Sequence, residues 1–222
     1  MCFVVNPPKL ICFDCDSTLS AIEGVDELAR LRGPECFAAV EAMTNEAMEG
    51  RIPLDDVFAR RLDLIRPDRS EAAAVGRLYL ERVEPTARET VMALKVAGWT
   101  PVIVSAGYTQ AIEPLAVHLG IARIEAVALK FNRLGGYLGF DESHPATRRG
   151  GKPEILARLK SELSPRRTVM VGDGVSDSET SEVVDLFVGF GRYAERAAVK
   201  SRAHAFIHSL SELPSLLAQS KR

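Results

Sequence analysis

Short apolar runs that stop at glycine or at a polar residue are the main pattern in this sequence. They cover residues 10–13, 102–104, 169–171 and 186–188. Each run is continuous and does not alternate with polar positions. Continuous apolar runs bounded by turn residues are typical of strands buried on both faces, as in a parallel sheet. The pattern therefore predicts four buried parallel strands.

Amphipathic helix patterns lie between these runs. Apolar residues recur three or four positions apart over residues 87–98, 112–120 and 155–163. Gly98 and Gly120 stand where the first two of these helices would end. Strands that alternate with helices of this length predict an α/β fold with a doubly wound parallel sheet. In such folds the functional crevice lies at the carboxyl ends of the strands.

One connection is too long for a simple crossover. Residues 18–85 separate the first strand from the helix that leads to the second, and they contain three further amphipathic patterns. Because long structureless loops are uncommon in compact domains, we expect an inserted helical cap here. The core domain would then comprise residues 1–17 and 86–222. Residues 127–140 are a second insertion, predicted as a hairpin around the turn at 132–136.

Composition narrows the possible partners. The 222 residues carry 28 Lys and Arg against 30 Asp and Glu, a formal net charge of -2. This balance argues against nucleic acid as a partner, and no apolar stretch is long enough for a membrane span. The four cysteines all lie early in the chain and do not resemble a disulfide framework, so a cytoplasmic location is expected.

Acidic residues follow two of the predicted strands. Asp14 and Asp16 come after the first run, and Asp173 and Asp177 come after the third. If these strands are neighbours, four carboxylates converge and need a cation or protons to offset their repulsion. Carboxylate oxygens without nearby histidine or cysteine ligands favour Mg²⁺. We therefore predict a magnesium site at the strand ends.

Groups suited to a phosphate lie at the same edge of the predicted sheet. Lys152 follows two glycines and would open the third helix, although such a lysine taken alone is often a solvated surface residue. Ser105 offers a hydroxyl, and Gly107 allows close backbone approach. A carboxylate nucleophile, a divalent cation, a lysine and a hydroxyl together indicate a phosphoryl-transfer site.

Four motifs resemble those of the haloacid dehalogenase-like phosphatases, in the same order. They are FDCDST at 13–18, SAG at 105–107, GK at 151–152 and GDGVSD at 172–177. Further segments are similar to the phosphoserine phosphatase family within that group: EGVDELA at 23–29, MT at 43–44 with Met48, RL at 61–62 and GFDE at 139–142. The resemblance implies a core sheet with a cap, magnesium dependence, and hydrolysis of phosphoserine as the last step of serine biosynthesis.

The resemblance also implies catalytic roles. Asp14 would be the nucleophile that becomes an aspartyl phosphate. Asp16 would be the general acid and later the general base. The implied magnesium ligands are Asp14, the backbone carbonyl of Asp16, and Asp173, with Asp177 assisting through the water shell of the metal.

The implied substrate contacts divide by charge. Ser105 and Lys152 would hold the phosphoryl oxygens, while Glu23 and Arg61 would bind the amino and carboxylate groups of phosphoserine. A zwitterion needs one anion and one cation, and arginine binds a carboxylate through two hydrogen bonds. Taken alone, Glu23 and Arg61 could each lie on an exposed helix face. The implied binding set is completed by Met48, Ala106, Gly107 and Ser176.

Two alternatives remain open at the level of sequence. The same chemistry could act on another small phosphate monoester, because Glu49 and Leu54 depart from the family pattern near the implied pocket. The chain could also be a phosphate-binding regulatory module without turnover, although every catalytic group of the family pattern is present. A monomer and a homodimer are equally compatible with the sequence.

Overall fold

The computed structural model describes residues 7–48 and 54–219. Within these residues, six strands form one parallel sheet, and a separate antiparallel pair forms a hairpin. This arrangement confirms the predicted α/β fold with a doubly wound parallel sheet. The strands of the main sheet are β1 Lys9–Phe13, β2 Trp99–Tyr108, β3 Arg123–Val127, β6 Arg167–Gly172, β7 Leu186–Phe190 and β8 Ala205–Ile207.

The strand order is β3-β2-β1-β6-β7-β8. Strand β1 is therefore central, with β2 on one side and β6 on the other, and Phe13 is level with both Ile103 and Val171. The chain changes direction across the sheet at β1, which makes this point the topological switch where ligands bind in such folds. Residues 10–13 are fully buried, as expected of a strand covered on both faces.

The three helices predicted between the strands are present. They are α5 Ala87–Val96, α6 Thr109–Leu119 and α7 Gly151–Leu163. Gly98 and Gly120 follow α5 and α6 with φ angles of 80° and 68°, a left-handed conformation that glycine adopts without a steric penalty. Shorter helices complete the core: α8 Val175–Ser178, α9 Ala197–Lys200 and α10 Leu213–Gln219.

Four helices, one more than predicted, lie in the described part of the long connection between β1 and β2. They are α1 Gly24–Leu31, α2 Pro34–Met48, α3 Leu54–Ile65 and α4 Arg69–Glu81. Helix α4 was missed, and it packs against the core: Gly76 lies beside the carbonyl of Ala111 and the ring of Pro114 on α6. An antiparallel bridge between Ser20 and Val83 joins the two ends of the insertion.

The second insertion is the predicted hairpin. Strand β4 Leu129–Phe131 pairs with β5 Tyr137–Phe140, and the turn between them is closed by the Asn132 side chain. Asn132 Oδ1 accepts hydrogen bonds from the backbone N–H groups of Leu134 and Gly136. An asparagine in this position stabilises the turn because its side chain replaces a backbone partner.

Cys12 and Cys15 are both buried free thiols. Cys12 lies in β1, but Cys15 does not. That residue lies in a helical turn over Cys15–Leu19 that follows β1 directly. In the part of the chain that the structure describes, no helix is both long and apolar enough to cross a lipid bilayer.

Candidate active site

The ends of three neighbouring strands bring the predicted catalytic residues together. Asp14 follows β1, Asp173 follows β6, and Ser105 lies near the end of β2. The backbone N–H of Asp14 donates to the carbonyl oxygen of Val171 over 2.9 Å, so the chain is still tied to β6 where the acidic motif begins. Asp14, Ser105 and Asp173 are all buried. The predicted convergence at the switch point is therefore present.

Lys152 lies between two of the carboxylates. It occupies the first turn of α7, and its Nζ is 2.9 Å from Asp14 Oδ2 and 2.5 Å from Asp177 Oδ1. Its side chain is only 3% exposed, which excludes the surface alternative. Burial acts to lower the pKa of Lys152, but the charges of Asp14 and Asp177 outweigh it and leave the pKa above its ordinary value. Lys152 is thus a permanent buried cation beside the proposed nucleophile.

Three carboxylates form a group that could hold a metal ion. Among the described residues, Asp14, Asp173 and Asp177 offer oxygen atoms within 4.8 Å of one another. At that separation, and at an effective dielectric constant of 20, two unit charges repel by roughly 3 kcal/mol. Burial and the charge of Asp14 raise the pKa of Asp177. A hard divalent cation fits this donor set, since it would offset charge that Lys152 alone does not balance.

Among the described residues, the Asp16 side chain is not part of this carboxylate group. Its Oδ1 accepts a hydrogen bond from the Tyr79 hydroxyl at 2.6 Å and another from the Gly24 backbone N–H at 2.7 Å. Burial raises the pKa of Asp16, and the charges of Glu23 and Asp14 add to this effect. A carboxyl group that holds its proton near neutral pH is suited to general acid catalysis. As a metal ligand, Asp16 therefore remains predicted only through its backbone carbonyl.

The SAG motif lies inside a strand. Strand β2 continues to Tyr108, beyond the apolar run at 102–104 from which the strand was predicted. Ser105 is fully buried, and its Oγ accepts a hydrogen bond from the Gly107 N–H over 2.9 Å. That bond occupies a lone pair of the oxygen and leaves the hydroxyl proton available to donate to an anion.

A cavity of about 280 Å³ opens next to the strand ends. Its lining includes the predicted binding residues Arg61, Ala106 and Ser176, together with Phe58 and Thr44. The Nε atom of Arg61 is buried and has no hydrogen-bond partner among the described residues. A buried guanidinium nitrogen without a partner is costly unless a ligand supplies one.

Glu23 lies near Asp16 and is not among the residues that line that cavity. It is half-buried and accepts a hydrogen bond from the Ser17 hydroxyl at 2.6 Å. Burial raises the pKa of Glu23. Of the other predicted contacts, the side chains of Met48 and Leu54 and the whole of Glu49 lie outside the described part of the chain.

Two residues at the site were missed in the sequence. Arg196, at the start of α9, donates hydrogen bonds to the carboxylate and the carbonyl oxygen of Asp173, and its charge lowers the pKa of Glu23. Tyr79 contacts Asp16, as described above. Arg196 could have been suspected as a basic residue in the loop after a strand, at the functional edge of the sheet. Tyr79 gave no such signal, because α4 itself was not predicted.

Comparisons with known proteins agree with this geometry. Residues 8–184 match the family model of haloacid dehalogenase-like hydrolases. The phosphoserine phosphatase of Rattus norvegicus is 37% identical over 205 residues, which are 91% of this chain and 90% of the rat protein.

Solved structures give the same result. A phosphoserine phosphohydrolase-like protein from Francisella tularensis superposes with a TM-score of 0.83 at 26% identity, covering 94% of this chain and 99% of that one. A phosphoserine phosphatase solved as a phospho-aspartyl intermediate analogue has a TM-score of 0.79 at 28% identity and covers 95% of this chain and 99% of its own. This chain therefore belongs to the haloacid dehalogenase-like hydrolases and, within them, to the phosphoserine phosphatase family.

Proposed function

We propose that this chain hydrolyses O-phospho-L-serine to L-serine and inorganic phosphate, with the phosphoryl group carried transiently by Asp14. The observation that carries the proposal is the meeting of Asp14 with Lys152, Asp173 and Asp177 in one buried cluster at the strand ends. The names of the relatives support the substrate, and one solved relative is described as a substrate-bound phosphoserine phosphatase complex.

In the first step, a carboxylate oxygen of Asp14 attacks phosphorus. The bond from Asp14 to phosphorus forms as the bond from phosphorus to the seryl oxygen breaks. The proton of Asp16 moves to that leaving oxygen, so serine departs as a neutral alcohol. The raised pKa of Asp16 supports this role because the group then holds a proton to give.

In the second step, water attacks the phosphorus of the aspartyl phosphate. Asp16, now ionised, takes a proton from the water as the new bond from oxygen to phosphorus forms. The bond to Asp14 breaks, phosphate leaves, and both carboxyl groups return to their starting states. Splitting the hydrolysis in this way replaces one very slow reaction with two that the site can assist.

Charge on the phosphoryl oxygens is offset by groups that are already in place. The ammonium group of Lys152 is held beside Asp14, and the hydroxyl of Ser105 is free to donate. Preorganised donors of this kind cost no reorganisation during the reaction, which makes them effective in a buried site.

We further propose Mg²⁺ as the metal, held by Asp14, Asp173 and the backbone carbonyl of Asp16, with Asp177 assisting. The oxygen-only donor set of the carboxylate group fits a hard dication. When bound, such an ion neutralises charge on the phosphate and orients it toward the nucleophile.

Recognition of the serine portion is assigned to Arg61 and Glu23. Arg61 presents a buried nitrogen without a partner in the described structure, as a residue awaiting a carboxylate would. Glu23 is the carboxyl group beside Asp16, and we assign it to the amino group of the substrate. The remaining predicted contacts, Met48, Ala106, Gly107 and Ser176, complete the proposed pocket.

A panel of phosphorylated metabolites tests the substrate assignment. We expect kcat/KM to be highest for O-phospho-L-serine, and activity to depend on added Mg²⁺. A different small phosphate ester ranked far above phosphoserine would refute the substrate while leaving the chemistry intact. Binding of phosphate without turnover of any ester would instead support the regulatory alternative.

We propose that residues 18–85 act as a cap over a core of residues 1–17 and 86–222. Its support is that Arg61 on α3 and Tyr79 on α4 both reach the strand-end site. The cytoplasmic location, the choice between monomer and homodimer, and the lack of a nucleic-acid partner stay predictions from the sequence.

A further inference from the structure

The two oxygens of the Asp16 carboxylate have unlike surroundings. Oδ1 accepts hydrogen bonds from the Tyr79 hydroxyl at 2.6 Å and from the Gly24 N–H at 2.7 Å. Oδ2 is turned toward Gly107, where an added Cβ atom would lie 3.0 Å from it, and it has no hydrogen bond within the described residues. One oxygen is therefore anchored, and the other faces the SAG motif of the site.

Tyr79 is built into this position. Its side chain is fully buried, and α4 holds it by packing against α6. A Cβ atom at residue 24 would lie 2.2 Å from the Tyr79 hydroxyl oxygen, so glycine is required there for the contact to exist. A buried tyrosine hydroxyl needs a hydrogen-bond partner, and the partner here is Asp16.

The direction of the hydrogen bond matters for catalysis. Tyr79 and Gly24 both donate to Oδ1. An oxygen that already accepts two hydrogen bonds is disfavoured as the atom that carries the carboxyl proton. The exchangeable proton of Asp16 is therefore directed to Oδ2. A general acid must also lie within hydrogen-bond reach of the oxygen it protonates, so rotation of the carboxyl group would impair it.

We propose that Tyr79 is a positioning residue for Asp16. Its hydroxyl, together with the Gly24 N–H, holds Oδ1 so that Oδ2 is the oxygen that gives its proton to the leaving alcohol and later takes one from water. This inference rests on the proposed reaction. It gives Tyr79, a residue of the cap insertion, a role in orienting the group that transfers the proton.

Replacing Tyr79 by Phe tests the proposal because it removes only the hydroxyl. The seryl oxygen would leave as a basic alkoxide and therefore needs a proton, whereas p-nitrophenolate is a weak base and leaves without one. The ratio kcat/KM covers only the steps up to departure of the leaving group. For Tyr79→Phe we expect a fall of about 10- to 100-fold on phosphoserine, the scale of a misplaced general acid. On p-nitrophenyl phosphate we expect kcat/KM within about threefold of the wild type, since that step needs no general acid.

Two further variants complete the experiment. Tyr137→Phe is the matched control, since the Tyr137 hydroxyl is buried and has no hydrogen-bond partner in the described structure. The Tyr137→Phe variant should keep the wild-type kcat/KM on both esters. Gly24→Ala places a methyl group against the Tyr79 hydroxyl and so disturbs its contact with Asp16. It should also lower kcat/KM much more on phosphoserine than on p-nitrophenyl phosphate. Thermal unfolding of each variant verifies that it is folded.

Equal losses on the two esters would overturn the proposal, because a general structural defect does not depend on the leaving group. Unchanged kcat/KM on phosphoserine in Tyr79→Phe would overturn it as well. Failure of the proposed function is a separate result: the wild type would hydrolyse p-nitrophenyl phosphate and another alkyl phosphate, but not phosphoserine. The Tyr79→Phe variant would then be tested on that other alkyl phosphate, where kcat/KM should again fall much more than on p-nitrophenyl phosphate.

Discussion

Arg61 allows a direct test of how the substrate is recognised. Its Nε is buried without a partner in the described structure, and the side chain lines the cavity beside the strand ends. If Arg61 binds the carboxylate of phosphoserine, Arg61→Ala removes a charge pair that is only partly shielded from solvent. Truncating one partner of such a pair costs about 2–3 kcal/mol of binding free energy, at the lower end of the range for buried pairs. This corresponds to a loss of about 30- to 140-fold in kcat/KM.

The assay compares two substrates that differ by one group. O-phosphoethanolamine is phosphoserine without its carboxylate, so the Arg61→Ala variant should lose less than about threefold on it, equivalent to under 1 kcal/mol. Arg60→Ala is the matched control on the same helix: Arg60 is 54% exposed, and its ion pair with Asp56 is 3.6 Å long. Exposed pairs contribute about 0–1 kcal/mol, so Arg60→Ala should leave both substrates nearly unchanged. Equal losses on the two esters in Arg61→Ala would refute the assignment.

Three other predictions follow from the buried cluster. Asp14→Asn should abolish turnover while the protein still folds, because an amide does not replace the carboxylate nucleophile; retained turnover would contradict the mechanism. Chelation with EDTA should stop hydrolysis and Mg²⁺ should restore it, whereas Asp173→Asn should raise the Mg²⁺ concentration required for half-maximal rate. Lys152→Met should lower the free energy of unfolding in urea by about 3–5 kcal/mol in metal-free buffer, because two buried carboxylates lose their cation. That deficit should grow as pH rises, since Asp177 has a raised pKa in the folded state and ionises there without a counter-charge; a deficit independent of pH would contradict this explanation.

Much of the fold follows from local patterns that the sequence shows directly. Continuous apolar runs mark the central strands, and glycines mark the ends of α5 and α6, because burial and backbone conformation constrain residue type position by position. The edge strands β3 and β8 were missed. Their runs are short or interrupted by charged residues, as in the Arg123–Val127 segment, and they form by pairing with β2 and β7.

The sequence by itself determined which residue types stand at the ends of the central strands and the order of the motifs along the chain. Only the tertiary structure decided how these groups meet. Lys152 reaches Asp14 because α7 begins at the functional edge of the sheet, and Arg196 reaches Asp173 from a loop far along the chain. Tyr79 reaches Asp16 only because α4 packs on α6. Residue type and periodicity are properties of neighbouring positions, whereas these contacts depend on the packing of elements that are distant in sequence.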